Sequence, residues 1–402
     1  MTGDDDEPST SLTRYGGIVA EALRRHVESV PSNEYLAAPV MDYPRRPGKA
    51  LRPSLCLATC EAFGGELADA VPTAVAIELL HNAFLVHDDI EDRSLLRRGE
   101  PTLHRRYGTA LALNAGDALA LQGLGSLREN IDRLGGRLAE QIMVEFDFMS
   151  RQTVAGQALE LGWCRDNRTD LHPDDYLELI MKKTCWYTAV LPLRAGALIG
   201  SRGTADLEPM IGFGFLLGAA FQIRDDILNL IGDTDVYGKE PLGDLREGKR
   251  TLMLIHLLAA ADRSDRNWLV GYLAQDIGER HPQDAARVFN LMVAYGSIAF
   301  ASEFASGVAR SAEEAMDDAF AHLPDSLARR FVAELVPYMV ERVRMVRSSP
   351  VFRDHSGRST LRSEEDGGSI WPFDHPVELL GGKSLESVQR ESALFRGQRK
   401  PG

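Results

Sequence analysis

Cysteine is scarce in this chain: four among 402 residues (Cys56, Cys60, Cys164 and Cys185), with no CxxC pair and no ladder of spacings. That excludes a disulfide framework and fits reduced thiols in the cytoplasm. Basic charge is also in deficit, 45 Lys and Arg against 59 Asp and Glu, a net charge of -14. A nucleic-acid partner is therefore not expected, since phosphate backbones are held by a Lys/Arg surplus. No apolar run reaches the roughly 18 residues of a membrane span. The start, MTGDDDEPST, lacks the basic-then-apolar order of a signal peptide. Sustained alternation, GxGxxG and P-loop spacings are all missing, and no solenoid-length repeat is seen.

What is present is helical periodicity. Hydrophobic residues make up 44% of the chain, ample for a core. Residues 1–10 are polar and acidic and are expected to be disordered. The pattern over 11–350 predicts one all-α domain of long helices that bury one another. Helices are expected over 11–30, 48–63, 68–92, 109–127 and 136–163, with a turn-rich linker from Pro44 to Pro47. A further helix starts at Pro173 and kinks at Pro192. Others follow over 206–231, 250–262, 267–278, 283–317 and 325–347. Residues 351–402 are glycine-punctuated and of mixed charge, and read as a largely flexible extension with one apolar segment, Trp371-Pro372-Phe373, able to dock.

Two acidic clusters stand out. Ile77 to Val86 is mostly apolar, and after His87 come Asp88, Asp89, Glu91 and Asp92. On a helix Asp88 and Asp92 share a face, where two like charges repel. A hard divalent cation reverses that balance, because Mg²⁺ takes carboxylate oxygens and keeps other positions for water and phosphate. The second cluster, Phe221-Gln222-Ile223-Arg224-Asp225-Asp226-Ile227-Leu228-Asn229, repeats the arrangement. Arg97 and Arg98 follow the first cluster; Lys239 and Lys249, each after a glycine, follow the second. Acid pairs followed by cations suit a magnesium-bridged diphosphate.

The chain resembles the trans-isoprenyl diphosphate synthases of the polyprenyl synthetase family over residues 11–350. Asp88-Asp89-Ile90-Glu91-Asp92 matches the first aspartate-rich motif, Gly48-Lys49-Ala50-Leu51-Arg52-Pro53 the GKxxRP element, Lys183-Thr184 the KT pair, and Gln222 with Asp225-Asp226 the FQxxDD motif. Two departures stand in the pattern: Asn229 replaces an aspartate, and Cys185 follows the KT pair where a small residue is usual.

The resemblance implies the class I isoprenoid synthase bundle around a central cavity. It also implies three magnesium ions on Asp88, Asp92 and Asp225, a homodimer, and condensation of an allylic diphosphate with isopentenyl diphosphate. Lys49, Arg52, His81 and Arg98 would hold isopentenyl diphosphate. Arg97, Lys183, Thr184, Gln222, Asp226, Lys239 and Lys249 would serve the allylic diphosphate, with Asp89 in the catalytic set. Ala83 and Phe84, five and four positions before Asp88, would form the floor that sets product length. An alanine at the fifth position points to a C20 product, geranylgeranyl diphosphate; C25 or longer, C15, and a terpene cyclase on the same fold are the alternatives.

Overall fold

A computed structural model of the chain describes residues 8–30, 32–231 and 242–347. Lys239, residues 1–7 and the extension with Trp371-Pro372-Phe373 lie outside the described residues. The chain winds through α1 (Pro8–Ser29), α2 (Glu34–Arg45), α3 (Leu51–Ala62) and α4 (Leu67–Glu91). A hairpin of β1 (Leu96–Arg97) and β2 (Glu100–Pro101) leads to α5 (Leu103–Tyr107), α6 (Thr109–Arg128), α7 (Asn130–Leu134) and α8 (Gly136–Arg165). Then come α9 (Pro173–Ile180), a π-helical segment (Met181–Val190), α10 (Leu191–Gly200) and α11 (Pro209–Ile231). The last helices are α12 (Gly243–Glu247), α13 (Leu252–Ala260), α14 (Arg263–Leu273), α15 (Pro282–Ala294), α16 (Ser297–Phe320) and α17 (Leu327–Arg347).

The all-α expectation holds, and α4 is its axis. It packs against α3 and α6, while α11 packs on the π segment and α16, and α8 closes on the π segment. By length and apolarity α4 does meet the measure of a membrane span, contrary to the expectation that no stretch would. Yet 78% of its apolar window is buried inside the bundle, so core packing accounts for its composition.

Four other departures have physical causes. Helix α2 has no counterpart among the expected helices and runs into the expected Pro44–Pro47 linker, although Pro39 and Pro44 lie in it. Asn33 caps it by accepting from the Tyr35 and Leu36 amides, and burial of Val40, Met41 and Tyr43 outweighs the missing donors. The 283–317 helix is two, bent by 64° at Gly296, whose φ of 71° ends α15. Pro192 does not kink its helix: it falls in the first turn of α10, and the ten-residue π segment ahead of it absorbs the irregularity. The hairpin escapes the search for strands because each arm has only two residues, Leu96 facing Pro101 and Arg97 facing Glu100.

Candidate active site

A cavity of about 550 Å³ opens between α4, α8, the π segment and α11, with Lys249 and Thr251 at its far edge. Small residues allow the walls to meet. A side chain at Gly156 on α8 would collide with the Lys183 backbone, so only glycine lets α8 lie against the π segment. That contact turns Gln157 and Glu160 inward, where both line the cavity with Lys183. Gly218 plays the same part for Cys185: a Cβ there would sit 2.9 Å from the cysteine. The larger residue after the KT pair is thus accommodated by an absent side chain on α11.

The carboxylate end is densely paired. Asp88, at 21% side-chain exposure, faces the cavity, with Lys183 Nζ 3.5 Å from Oδ1 and Arg97 Nη2 3.5 Å from Oδ2. Lys183 also binds Glu160. Burial opposes its charge, but Glu160 and Asp88 outweigh that and hold the ammonium protonated. Asp92 is buried behind Lys249, whose Nζ lies 2.6 Å from Oδ2. Burial and then the Asp88 charge push its carboxyl well above the usual range. Asp89, of the expected catalytic set, is 1% exposed and accepts from Tyr43 Oη at 2.5 Å and from Arg97 Nε at 2.9 Å. It orients the arginine and does not line the cavity.

Opposite, on α11, Asp225 and Asp226 line the cavity. A relay runs from Thr184 Oγ1 to Gln222 Oε1 at 3.0 Å, from Gln222 Nε2 to Asp226 Oδ1 at 2.7 Å, and from Tyr176 Oη to Asp226 Oδ2 at 2.8 Å. Burial, then the charge of Asp244, pushes the Asp226 carboxyl up to about 8. Asn229 faces elsewhere: its Oδ1 accepts the Asp244 amide at 3.1 Å and starts α12. An aspartate there would have a charge to bury.

A second, smaller cavity of about 90 Å³ adjoins the first and is lined by Lys49, Arg52, His81 and Arg98, with Glu78 at its base. Arg52, His81, Arg98 and Phe221 line both cavities. Arg52 Nη2 donates to Tyr187 Oη at 2.9 Å, and its guanidinium lies 4.4 Å from that ring. Burial, then Arg52 and Arg98, drives His81 well below its ordinary pKa, so the imidazole is neutral. Arg98 sits at φ 55° beside Gly99 at φ 77°, the two-residue turn that closes the hairpin. The turn sends Arg97 to Asp89, while Arg98 reaches the Arg46 carbonyl at 3.2 Å.

The two expected floor residues separate. Phe84 lines the cavity and meets Tyr187 edge-on at 5.9 Å. Ala83, 1% exposed, instead packs with Leu79, Val86 and Leu119 on the α6 side of α4.

Sequence reasoning missed several contributors. Arg46, in the expected linker, donates to the Arg97 carbonyl at 2.8 Å and the Pro101 carbonyl at 2.7 Å, fixing the hairpin. Tyr43, Tyr176, Tyr187 and Asp244 carry no motif signal; only the paired Arg45-Arg46 ahead of Gly48-Lys49 hinted at a role. A metal fits the donors: Asp88, Asp92 and Asp225 offer hard oxygens, and the first two are crowded like charges. Among the described residues no three His, Cys, Asp or Glu converge on one point. That suits an ion completed by water and phosphate better than a protein cage. It also leaves His87, 3.5 Å from Asp117 on α6, without the histidine partners a phosphohydrolase centre needs.

The family model described as polyprenyl synthetase matches residues 33–292. The short chain isoprenyl diphosphate synthase of Methanothermobacter thermautotrophicus is 32% identical over 331 residues, 82% of this chain and 97% of the relative. Among solved structures, geranylgeranyl pyrophosphate synthetase from Pyrococcus horikoshii is 30% identical with a TM-score of 0.72, covering 83% of this chain and 98% of that one. Polyprenyl synthase from Caulobacter crescentus, complexed with calcium and isoprenyl diphosphate, is 27% identical with a TM-score of 0.72 over 83% of this chain and 98% of its own. With the bundle, the facing carboxylates and the paired cavities, these matches establish that the chain belongs to the polyprenyl synthetase family and is a chain-elongating prenyltransferase, a polyprenyl diphosphate synthase.

Proposed function

We propose that the protein condenses an allylic diphosphate with isopentenyl diphosphate to give geranylgeranyl diphosphate, acting in the cytoplasm as a homodimer. One observation carries the two-substrate reading: Lys49, Arg52, His81 and Arg98 line a pocket that adjoins the main cavity but includes neither Asp88 nor Asp225. A cyclase, which takes one diphosphate, has no use for it. Support for the dimer comes from apolar residues facing outward on α6 and α8: Leu121 is 67% exposed and Val154, though it lines the cavity, 60%.

In this reading the allylic diphosphate lies between Asp88 and Asp225. Three magnesium ions held by Asp88, Asp92 and Asp225 would supply Lewis-acid stabilisation of the departing pyrophosphate. Calcium together with isoprenyl diphosphate in the Caulobacter relative supports a divalent metal there. Lys183 and Lys249, kept charged by Glu160 and Asp92, then exchange carboxylate for phosphate oxygens, and Arg97 adds donors that Asp89 has already oriented. Lys239, expected to join them, lies outside the described residues. Thr184, Gln222 and Asp226 form the hydrogen-bonded wall beneath. Isopentenyl diphosphate, held by its four cationic and imidazole contacts, presents its double bond to the allylic cation at short range. The apolar wall with Phe84 excludes water, and the released pyrophosphate takes the proton.

The test is incubation with isopentenyl diphosphate and each of the C5, C10 and C15 allylic primers, with product lengths measured. A C20 diphosphate is expected; a C25 product would correct the length alone. A hydrocarbon formed from geranylgeranyl diphosphate by itself would overturn the reading in favour of a cyclase.

A further inference from the structure

We propose that Arg280, stacked over Tyr272, is a positioning residue for Lys249, acting through the single turn α12 that precedes the lysine. The inference rests on the reading that Lys249 serves the allylic diphosphate.

Helix α12 has five residues, too few to hold itself together. It is left at Gly248 with φ 74°, where glycine is at ease, but entered at Leu242 with φ 59°, a left-handed leucine that a free chain would not keep. What holds it is a row of side chains on its carbonyls. Tyr272 Oη donates to the Leu245 carbonyl at 3.1 Å, Arg280 Nη1 to the Arg246 carbonyl at 2.7 Å, and Arg250 Nη1 to the Gly248 carbonyl. Arg280 is itself anchored, since Nη2 donates to the Leu273 carbonyl at 2.9 Å and the guanidinium lies 5.7 Å from the Tyr272 ring. Both residues are buried, at 6% and 2% exposure. A Cβ at Gly248 would run into the Arg280 guanidinium, so the turn and the arginine are built around each other.

Neither Arg280 nor Tyr272 lines the cavity, whereas Lys249 does. Lysine is a point charge on a flexible stem, and its aim depends on where its backbone is held. With the turn clamped, Nζ lies 2.6 Å from Asp92 and 2.8 Å from Glu247, at the edge where the allylic diphosphate is to bind. Charge-assisted bonds to carbonyls are the stronger kind, so Arg280 carries more of this clamp than the tyrosine hydroxyl.

Steady-state kinetics on the full chain, with each substrate varied separately, test the assignment. Arg280→Ala should raise the allylic KM by about tenfold and leave the isopentenyl diphosphate KM within about twofold. Arg280→Lys should recover part of the loss. Tyr272→Phe keeps the ring and removes only the hydroxyl; it should shift the same KM by about threefold, and it serves if Arg280→Ala does not fold. In a Lys249→Ala background, Arg280→Ala should add nothing to the allylic KM. A parallel rise of both KM values, an additive loss in the double variant, or no change in the allylic KM on replacing Arg280 would overturn the clamp. An unaltered allylic KM in Lys249→Ala would overturn the assignment of Lys249 itself, and the clamp with it.

Discussion

Asp88 and Asp89 are neighbours in the chain and opposites in environment. Asp88 faces the cavity, while Asp89 is sealed between Tyr43 and Arg97. If Asp88 holds the proposed metal, Asp88→Asn should lower turnover by about a thousandfold, because that charge is lost, with the melting temperature unchanged. Wild-type turnover at saturating magnesium would refute that role. Arg97 and Arg98 differ in the same way. Arg97→Ala strands a buried carboxylate and should cost about 3–5 kcal/mol of stability, visible in chemical denaturation. Arg98→Ala breaks a bond to a backbone carbonyl and should leave stability nearly intact while raising the isopentenyl diphosphate KM by about tenfold. If both variants unfold alike, the division between them is wrong. At this scale the sequence was informative wherever interacting residues sit close in the chain, as with Asp88 and Asp92 or Gln222 and Asp226. It was silent on Tyr43, Tyr176 and Arg46, whose partners lie tens of residues away. The partners of Asp89, Tyr43 and Arg97, emerge in the same way only from the fold, although the resemblance already set Asp89 in the catalytic set.

Among elements, the long apolar helices were legible because burial on several faces leaves apolar stretches too long for strands. Helix α2, the hairpin and the π segment were not. Two prolines masked α2, the strands are shorter than any alternation, and π pairing leaves no periodicity of its own. These three irregular pieces nonetheless place much of the chemistry. Helix α2 carries Tyr43, the hairpin turn carries Arg98, and the π segment carries Lys183, Thr184 and Tyr187. The junction of α8 with the π segment is the tightest constraint among them. Gly156→Ala places a methyl against the Lys183 backbone and should cost about 1–3 kcal/mol, the penalty of overpacking. Because the displaced residue is Lys183, the allylic KM should rise at temperatures where the variant remains folded. A destabilised variant with unchanged kinetics would show that the close approach serves packing alone.

At the scale of the whole molecule, product length depends on which face of α4 the cavity uses. The expectation set Ala83 and Phe84 together as the floor because both lie about one turn before Asp88. Adjacent residues on a helix point about 100° apart, and the bundle assigns them to different neighbours. Phe84 closes the cavity against Tyr187; Ala83 is enclosed by Leu79, Val86 and Leu119 where α4 meets α6. Their substitutions should therefore behave differently. Phe84→Ala removes a ring from the cavity wall, and because Tyr187 is held by Arg52 it cannot readily swing into the gap. Growth should continue by at least one five-carbon unit, read as a shift of the product distribution from C20 towards C25. Ala83→Phe forces a ring into a packed interface, so its first effect should be a loss of about 1–3 kcal/mol, with a shorter product only to the extent that α4 is pushed towards the cavity. Should Ala83→Phe fold normally and give C15 alone, the cavity reaches past Phe84 to the α6 side and the floor lies there. If Phe84→Ala leaves the distribution at C20, the stop is set deeper, by Leu179 or Ile180 of α9, which also line the cavity.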